Sequence, residues 1–479
     1  MGAKIGIISL GCAKNLVNTE QMMFLLNEAG FDVSGELTGA DAVIVNTCGF
    51  IESAKMEAIE TILELASAKA EGEIGKIIVA GCLSERYKNE ILAELPEIDG
   101  VVGTGSFESI VGAVKEALPG DSKPALFGDI DAPASETGRI ITTSNAWAYL
   151  KIAEGCDNRC AYCIIPSIRG RFRSRPIPNI VNEARELAGR GTKELIIVAQ
   201  DVTRYGLDLY GKRVLADLLK ELCAIDSTKW IRLHYLYPDE IDDELIDVIA
   251  KYDKILKYLD IPIQHINDGI LQKMNRRGTG NEIRALIQKL RERIEGVVLR
   301  TSIIAGLPGE GEYEFVELCD FLTEAKIERA GVFAYSPEEG TAAALMDMPD
   351  TDTAALRAER LTDIQSRIID GFNESRIGSM ATVLIEGYDE GQGNDGNQEY
   401  GDQGRDDSQG CGNQGSDGSR GRGGSRGHDS GHYYGRSFAE SPDVDGYINI
   451  KADNMAIGEF VNVRITGVEN GELVGEVPN

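Results

Sequence analysis

Three short runs rich in Ile and Val, each closely followed by a cysteine, constrain the fold of this chain more than any other feature. They are IGIISL (5–10), DAVIVNT (41–47) and KIIVAG (76–81), and the cysteines are Cys12, Cys48 and Cys82. Apolar runs of this length are strands buried on both faces of a sheet. Helical patterns separate them. In NTEQMMFLLNEAG, Met22, Leu25 and Leu26 share one face and Gly30 is the stop. A second helix is expected over 52–69. Strand–helix alternation predicts a parallel sheet with helices on both faces. Ligands of open α/β sheets bind beyond the carboxyl ends of the strands, so three cysteines at three such ends can converge on one point. This first domain is expected over 1–140.

The 479 residues are too many for one ordinary core. A second domain, over 145–375, shows candidate strands at 149–155, 194–200, 230–236, 257–263, 297–306 and 329–336, with helical patterns between them. One helix starts near Pro178 and carries Ile180, Val181, Ala184, Leu187 and Ala188 as an apolar stripe, with Gly191 as its cap. Six strand–helix units predict a partial (βα)-barrel, whose active site lies at the carboxyl ends of its strands. A third domain is expected over 378–479. The run 380–388 and the stretch from Gly446 to Val477 alternate apolar and polar residues, as in a small antiparallel β-barrel. Between them, at about 390–430, lies a Gly-, Asn- and Ser-rich insertion with almost no apolar residue, expected to be a disordered loop. Its SRGRGGSRG patch has the composition of an RNA-touching tract or of a solvated hairpin insertion, and it contains Cys411.

The formal net charge of −29 argues against a broad nucleic-acid-binding face and is compatible with a basic protein partner. Plain solubility explains the acidity equally well. No run approaches the ~20 apolar residues that span a bilayer. The amino-terminal MGAKIGIISLGCAKN lacks the layout of a signal peptide, so no membrane partner and a cytoplasmic location are expected. In a reducing compartment the nine cysteines are metal ligands, catalytic groups or core residues sooner than disulfides.

The second domain opens on Cys156-x3-Cys160-x2-Cys163, three thiols on one short loop after a predicted strand. Thiolates bind iron–sulfur clusters and zinc. A structural zinc site asks for four protein ligands, and neither a second cysteine pair nor a histidine is near in sequence. Three ligands on a four-iron cluster leave one iron open for a small chelating molecule. Spacing favours that reading and leaves zinc as an alternative. Cys223 and Cys319 fall on apolar helical faces and are expected in the core.

CDNRCAYC after a barrel strand resembles the signature of the radical S-adenosylmethionine enzymes. The resemblance implies a low-potential 4Fe-4S cluster that reduces the sulfonium of S-adenosylmethionine and generates a 5′-deoxyadenosyl radical, which abstracts hydrogen from an unactivated carbon. By the same resemblance Tyr162 borders the adenine, and Gln200, Asp201 and Gly306 are cofactor contacts. Core packing for Tyr162 and an ordinary turn for Gly306 are the alternatives.

The whole chain resembles the methylthiotransferases, which join an α/β domain with three cysteines, a radical domain with three more, and a C-terminal barrel called TRAM. SLGCAKN, VNTCGF and VAGCLSER match the first set. The resemblance implies that Cys12, Cys48 and Cys82 hold a second 4Fe-4S cluster for sulfur delivery. GCAKNLVNTE, NTCGFIESAK, CIIPSIRG, RLHYLYP and YLDIPIQH resemble the branch that modifies an aspartate on protein twelve of the small ribosomal subunit. The branch acting on adenosine in transfer RNA carries a basic segment after the second cysteine, where this chain has Gly49, Phe50 and Ile51. From Arg436 to Asn479, three Lys and Arg stand against eight Asp and Glu, a balance of −5. A barrel gripping RNA should have the opposite sign, and an acidic one suits a basic ribosomal protein.

The implied reaction places a methylthio group on the β-carbon of that aspartate, free or in the assembled subunit, with an electron donor and a sulfur source as further partners. No side chain need act as acid or base. His234 and His265 lie at predicted strand ends, where a structural role and a site role compete. Arg169, Arg171, Arg173 and Arg175 can grip a carboxylate or form a solvated stretch. The competing functions are transfer-RNA methylthiolation and a non-catalytic iron–sulfur module that docks on ribosomes.

Overall fold

The computed structural model of the chain describes residues 2–389, 431–452 and 454–478. The expected disordered insertion at about 390–430, with its arginine patch and Cys411, lies outside them.

The first sheet contains β1 (Lys4–Ser9), β2 (Asp32–Ser34), β3 (Ala42–Thr47), β4 (Lys76–Gly81), β5 (Gly100–Val102) and β6 (Ala125–Leu126), all parallel in the order β2-β1-β3-β4-β5-β6. All six residues of β3 are buried. Its alternation divides the core. Val43 and Val45 pack with Ala58, Ile62 and Leu65 of the helix Glu52–Ala70. Ala42 and Ile44 face Met22 and Leu26 of the helix Ala13–Glu28 on the other side. Each Val, Ile, Leu or Met among them, fully buried, contributes about 1.5–3 kcal/mol.

The second sheet is built from β7 (Trp147–Lys151), β10 (Glu194–Val198), β11 (Trp230–Leu233), β12 (Ile255–Asp260), β13 (Val298–Ala305) and β14 (Arg329–Ala334), with a two-stranded ribbon of β8 (Ala153–Glu154) and β9 (Arg173–Ser174) beside it. The six strands are parallel and follow one another in chain order, β7 to β14, so the barrel is open as expected. The helix Ile177–Gly189 buries all five residues of its expected stripe. One expectation needs correction: 149–155 is not a single strand. The Ile152 N–H still donates to Val198 O, but Ala153 and Glu154 leave the sheet and pair antiparallel with Ser174 and Arg173. That turn sends the cysteine loop across the barrel mouth.

The third sheet is a closed barrel of β15 (Met380–Asp389), β16 (Gly431–Arg436), β17 (Ile448–Ala452), β18 (Phe460–Glu469) and β19 (Glu472–Glu476), in the order β15-β16-β17-β19-β18. Four of its pairings are antiparallel and β17–β19 is parallel. The reason is arithmetical: strand directions cannot alternate around a closed ring of odd number.

Between β16 and β17 the chain enters the open barrel and fills its floor. Arg436, wholly buried, bonds to Glu194 at 2.8 Å, and Glu194 accepts from Arg232 at 2.6 Å. Glu440 binds Arg329 at 3.0 Å and also Arg376. Ser441 Oγ meets His234 Nε2 at 2.9 Å. Burial, with Arg232 and Arg300 nearby, holds the His234 imidazole well below its usual pKa. Thus His234 is a neutral structural residue, and Arg436 and Glu440, counted above among surface charges, are internal. They cancel in that tally, so the exterior of the small barrel remains acidic through Glu459, Glu469 and Glu476 against Lys451 and Arg464.

Candidate functional site

β1, β3 and β4 are adjacent, so Cys12, Cys48 and Cys82 leave the same sheet edge side by side. Cys12 caps the helix Ala13–Glu28, and Cys82 begins the helix Cys82–Tyr87. The close approach needs Gly11. Its φ is +86°, and a methyl group there would lie 2.7 Å from the Cys48 Cβ. Burial pushes the Cys12 thiol up, but Lys14, Arg169 and the backbone N–H groups of the helix start outweigh it and leave the pKa below the ordinary value. Burial lifts Cys48 to about 12, helped by the Cys82 and Cys12 charges. Cys82 is raised by burial although Arg169 donates to its Sγ at 3.4 Å. Thiols this reluctant to ionise alone deprotonate when a metal takes the sulfur.

The loop 156–163 is pinned on three sides. Cys156 N–H donates to Gly170 O at 3.1 Å, Ala161 N–H to Met274 O at 2.9 Å, and Ala343 N–H to Ala161 O at 2.9 Å. Cys156, Cys160 and Cys163 line a cleft of about 370 Å³ together with Asp157, Arg171 and Thr341. That is the size of a small-molecule site. Burial raises Cys156 to about 12 and pushes Cys163 further, with the neighbouring Cys160 adding to it. Among the described residues no three His, Cys, Asp or Glu side chains are placed around a single metal ion. A four-iron cluster makes a different demand, because each thiolate meets a different iron and the sulfurs surround a cube rather than a point.

A buried chain of side chains runs from the first cysteine set to Glu154, two residues before the second. Arg169, from the short helix after the loop, reaches into the first domain: one guanidinium nitrogen meets Asn15 Oδ1 at 3.0 Å and Cys82 Sγ at 3.4 Å. Its other terminal nitrogen donates to Asn18 Oδ1 at 3.1 Å and Glu154 Oε1 at 3.0 Å. Glu154 also accepts from Lys151 and Gln200, each at 2.9 Å. Despite burial, the Arg169 and Lys151 charges hold the Glu154 carboxyl far below the carboxylate range.

Of the expected cofactor contacts, Gln200 stands closest to this chain of contacts, and its buried Oε1 has no protein partner. An orphaned acceptor at a strand end fits a polar ligand with a donor to offer. Asp201 is already satisfied. It accepts from Thr203 N–H at 3.0 Å and from Asn158 Nδ2 at 2.7 Å, and so holds the cysteine loop through Asn158. Tyr162 packs with Ala161, Ile270, Met274 and Leu307, and its hydroxyl accepts from Arg276 at 3.4 Å. Gly306 sits at φ +79°, where its N–H donates to both Glu310 oxygens at 3.0 Å and a Cβ would strike Ala354. His265 is buried; Nδ1 accepts from Asn267 N–H at 3.0 Å, and Nε2 lies 3.3 Å from Glu310 without a hydrogen bond. Of the other three arginines, Arg175 is buried and Arg173 half-buried, whereas the Arg171 side chain is exposed at the cleft. Arg175 binds Glu136 and Glu183, both at 2.6 Å, Arg173 lies on Arg169 O, and the Arg171 N–H donates to Asp131 at 2.7 Å. Cys223 and Cys319 are core residues, as expected.

Glu154, Lys14, Asn158 and Arg276 escaped the sequence reading. For Glu154 a signal existed: Lys151 and Glu154 interrupt an otherwise apolar strand run. Arg276 donates to Pro262 O at 2.5 Å and lies 3.8 Å from Cys160 Sγ. Four of the non-glycine residues with positive φ lie around this mouth: Arg159, Tyr235, Gln264 and Asn275. Such conformations cluster at functional sites.

Family comparison matches three models: the radical SAM superfamily over residues 150–322, the uncharacterized protein family UPF0004 over 4–103, and the TRAM domain over 425–477. Among curated relatives, the ribosomal protein uS12 methylthiotransferase RimO of Acetivibrio thermocellus is 43% identical, covering 100% of this chain and 99% of its own length. The protein of the same name from Pelotomaculum thermopropionicum is 46% identical, with 99% of each chain covered. That from Clostridioides difficile is 43% identical over 99% of this chain and 98% of its own. Among solved structures, the radical S-adenosylmethionine methyltransferase TsrM from Kitasatospora setae, with cobalamin and a 4Fe-4S cluster bound, is similar in fold. Its TM-score is 0.51 at 15% identity, over 70% of this chain and 77% of that one.

Proposed function

The chain belongs to the ribosomal protein uS12 methylthiotransferase family of radical SAM enzymes, and on that premise we propose that it inserts a methylthio group at the β-carbon of an aspartate of uS12, using two 4Fe-4S clusters. In this reading Cys12, Cys48 and Cys82 hold one cluster, and Cys156, Cys160 and Cys163 hold the cluster that binds S-adenosylmethionine. The observation that carries it is the buried Arg169, shared between Cys82 and the shell of the second cysteine loop. One guanidinium reaching from Cys82 to the strand end that leads into the second loop suits a reaction in which one set handles sulfur and the other generates the radical.

When bound, the cluster and S-adenosylmethionine supply the radical that removes a hydrogen atom from an unactivated carbon. The chain's own residues bind, orient and exclude water. Gln200 offers its free Oε1 to the cofactor. Asp201 and Tyr162 are positioning residues, acting through Asn158 and Arg276, and Gly306 lets the helix Thr351–Ser375 pack against the end of β13. Because hydrogen leaves as an atom, no side chain is assigned as acid or base. Arg436, Glu440 and Ser441 close the barrel floor to water. The division into domains 1–140, 145–375 and 378–479, the electron donor and sulfur source as partners, the absence of a membrane partner and a cytoplasmic location belong to the same proposal. No helix among the described residues is long and apolar enough to cross a membrane.

The test supplies reconstituted enzyme, reductant and S-adenosylmethionine with purified uS12 and, separately, with transfer RNA. A mass gain of one methylthio group on uS12 is expected. Gain on RNA alone would reverse the substrate assignment, and failure to form 5′-deoxyadenosine would favour a non-catalytic ribosome-binding module.

A further inference from the structure

Ten lysine and arginine side chains are buried among the described residues. Eight of them meet a carboxylate within 4.0 Å. The two that do not are Lys14, two residues after Cys12, and Arg276, beside Cys160. Arg276 is satisfied by neutral acceptors and stacks on Tyr237. The Lys14 ammonium instead lies over the Tyr235 ring, 3.6 Å from its centroid.

A buried ammonium that faces only the Cys12 sulfur and the Tyr235 side chain, with no carboxylate beside it, is costly, and proteins keep one where it meets a charge that arrives later. Its surroundings say where that charge comes. Lys14 projects from the helix start that bears Cys12. Tyr235 follows β11 at the barrel mouth, and its backbone is held at φ +60°, an unfavourable conformation for an aromatic residue. Asp260 accepts from its N–H at 3.1 Å, and its carbonyl accepts from Val202 N–H at 3.1 Å, in the same strand-end loop as Gln200. The cation is therefore fixed at the seam between the two cysteine sets, where a substrate carbon would sit between the sulfur-delivering site and the radical-generating one.

We propose that Lys14 binds the carboxylate of the substrate aspartate and so selects a protein carboxylate over a nucleic-acid base. The inference rests on the reading of uS12 as substrate. The reacting β-carbon is bonded directly to the carboxyl carbon, so a cation gripping the two oxygens sets the reach of the C–H bond. A base brings no anionic group to that point and leaves the ammonium buried and unpaired.

The test compares equilibrium binding, by fluorescence anisotropy, of uS12 and of uS12 carrying asparagine at the target position. Wild-type enzyme with both clusters should prefer the aspartate form by about tenfold to hundredfold, the worth of one charge-assisted hydrogen bond. Lys14→Gln and Lys14→Met should bind both forms with the wild-type affinity for asparagine, and Lys14→Arg should restore the preference. Two variants of different polarity separate this effect from a failure to fold, read by circular dichroism. Electron paramagnetic resonance of both cysteine sites should match the wild type. The proposal is overturned if Lys14→Gln keeps the preference. It is equally overturned if the variant weakens both forms alike while altering the resonance of the first site, which would make Lys14 a counter-charge to the cluster. If wild-type enzyme binds neither form, the uS12 reading fails first and this inference falls with it.

Discussion

Replacing Glu440 with Gln tests whether the segment between β16 and β17 holds the molecule together. The carboxylate is buried among Arg329, Arg376 and Ser437. Despite burial, the two arginines hold its pKa at about 2, against an ordinary 4.5. A folded-state pKa lowered in this way contributes stability that is complete above about pH 4.5 and disappears as pH falls toward 2. The contribution is about 3 kcal/mol, at about 1.4 kcal/mol for each pH unit of difference. Glutamine keeps the shape but leaves two arginines facing an amide, and breaking a buried pair from one side costs about 3–5 kcal/mol. At pH 7, Glu440→Gln should therefore be less stable by about 3–5 kcal/mol, and the gap should close between pH 4.5 and pH 2, because only the wild type has a charge to lose. The assay is urea unfolding followed by tryptophan fluorescence. Both tryptophans report the seam: Trp147 lies under Arg436, and Trp230 packs edge-on against Phe460, with ring centroids 4.6 Å apart. A gap below about 1 kcal/mol at pH 7, or wild-type and variant curves that run parallel into acid, would refute the argument.

Two further outcomes follow from the cysteine geometry. Changing Cys156, Cys160 and Cys163 together to Ala should lower bound iron from about eight to about four atoms per chain, since each set holds one cubane; a count near zero in the variant would contradict two independent sites. Gly11→Ala should do the converse. A left-handed backbone costs a side-chain-bearing residue about 1–2 kcal/mol, and the new methyl would collide with Cys48. Iron should again fall to about four, with the resonance of the second site retained, and full iron loading of this variant would show that the first site is laxer than its packing implies.

The legible parts of this chain are those whose physics is local. Alternation, β-branched runs and glycine stops were enough to locate β3, β4 and the helix Ile177–Gly189, because the residues that make those elements also bury them. Strands of two or three residues, such as β2, β5 and β6, carry no periodicity to read, and their pairing comes from neighbours. Charged residues were the least legible. Arg436 and Glu440 look like surface residues until the barrel closes over them, and Arg169 looks like one of four basic side chains until Cys82 and Glu154 are brought to either side of it. His234 and His265 both sit near strand ends, but only the packing shows that Ser441 occupies the His234 ring, whereas His265 Nε2 is left without a hydrogen bond.

The strand-end cysteines that constrain the fold came from the sequence alone, since a strand's end and its next residue are neighbours by covalent bond. That β1, β3 and β4 lie side by side, so that three thiols share an edge, was decided by the sheet. So was the seam where Arg169 reaches from Cys82 to Glu154 and Lys14 lies without a carboxylate partner. Those contacts join residues as much as 221 apart in the case of Lys14 and Tyr235, and chain order carries no term for a distance set by packing.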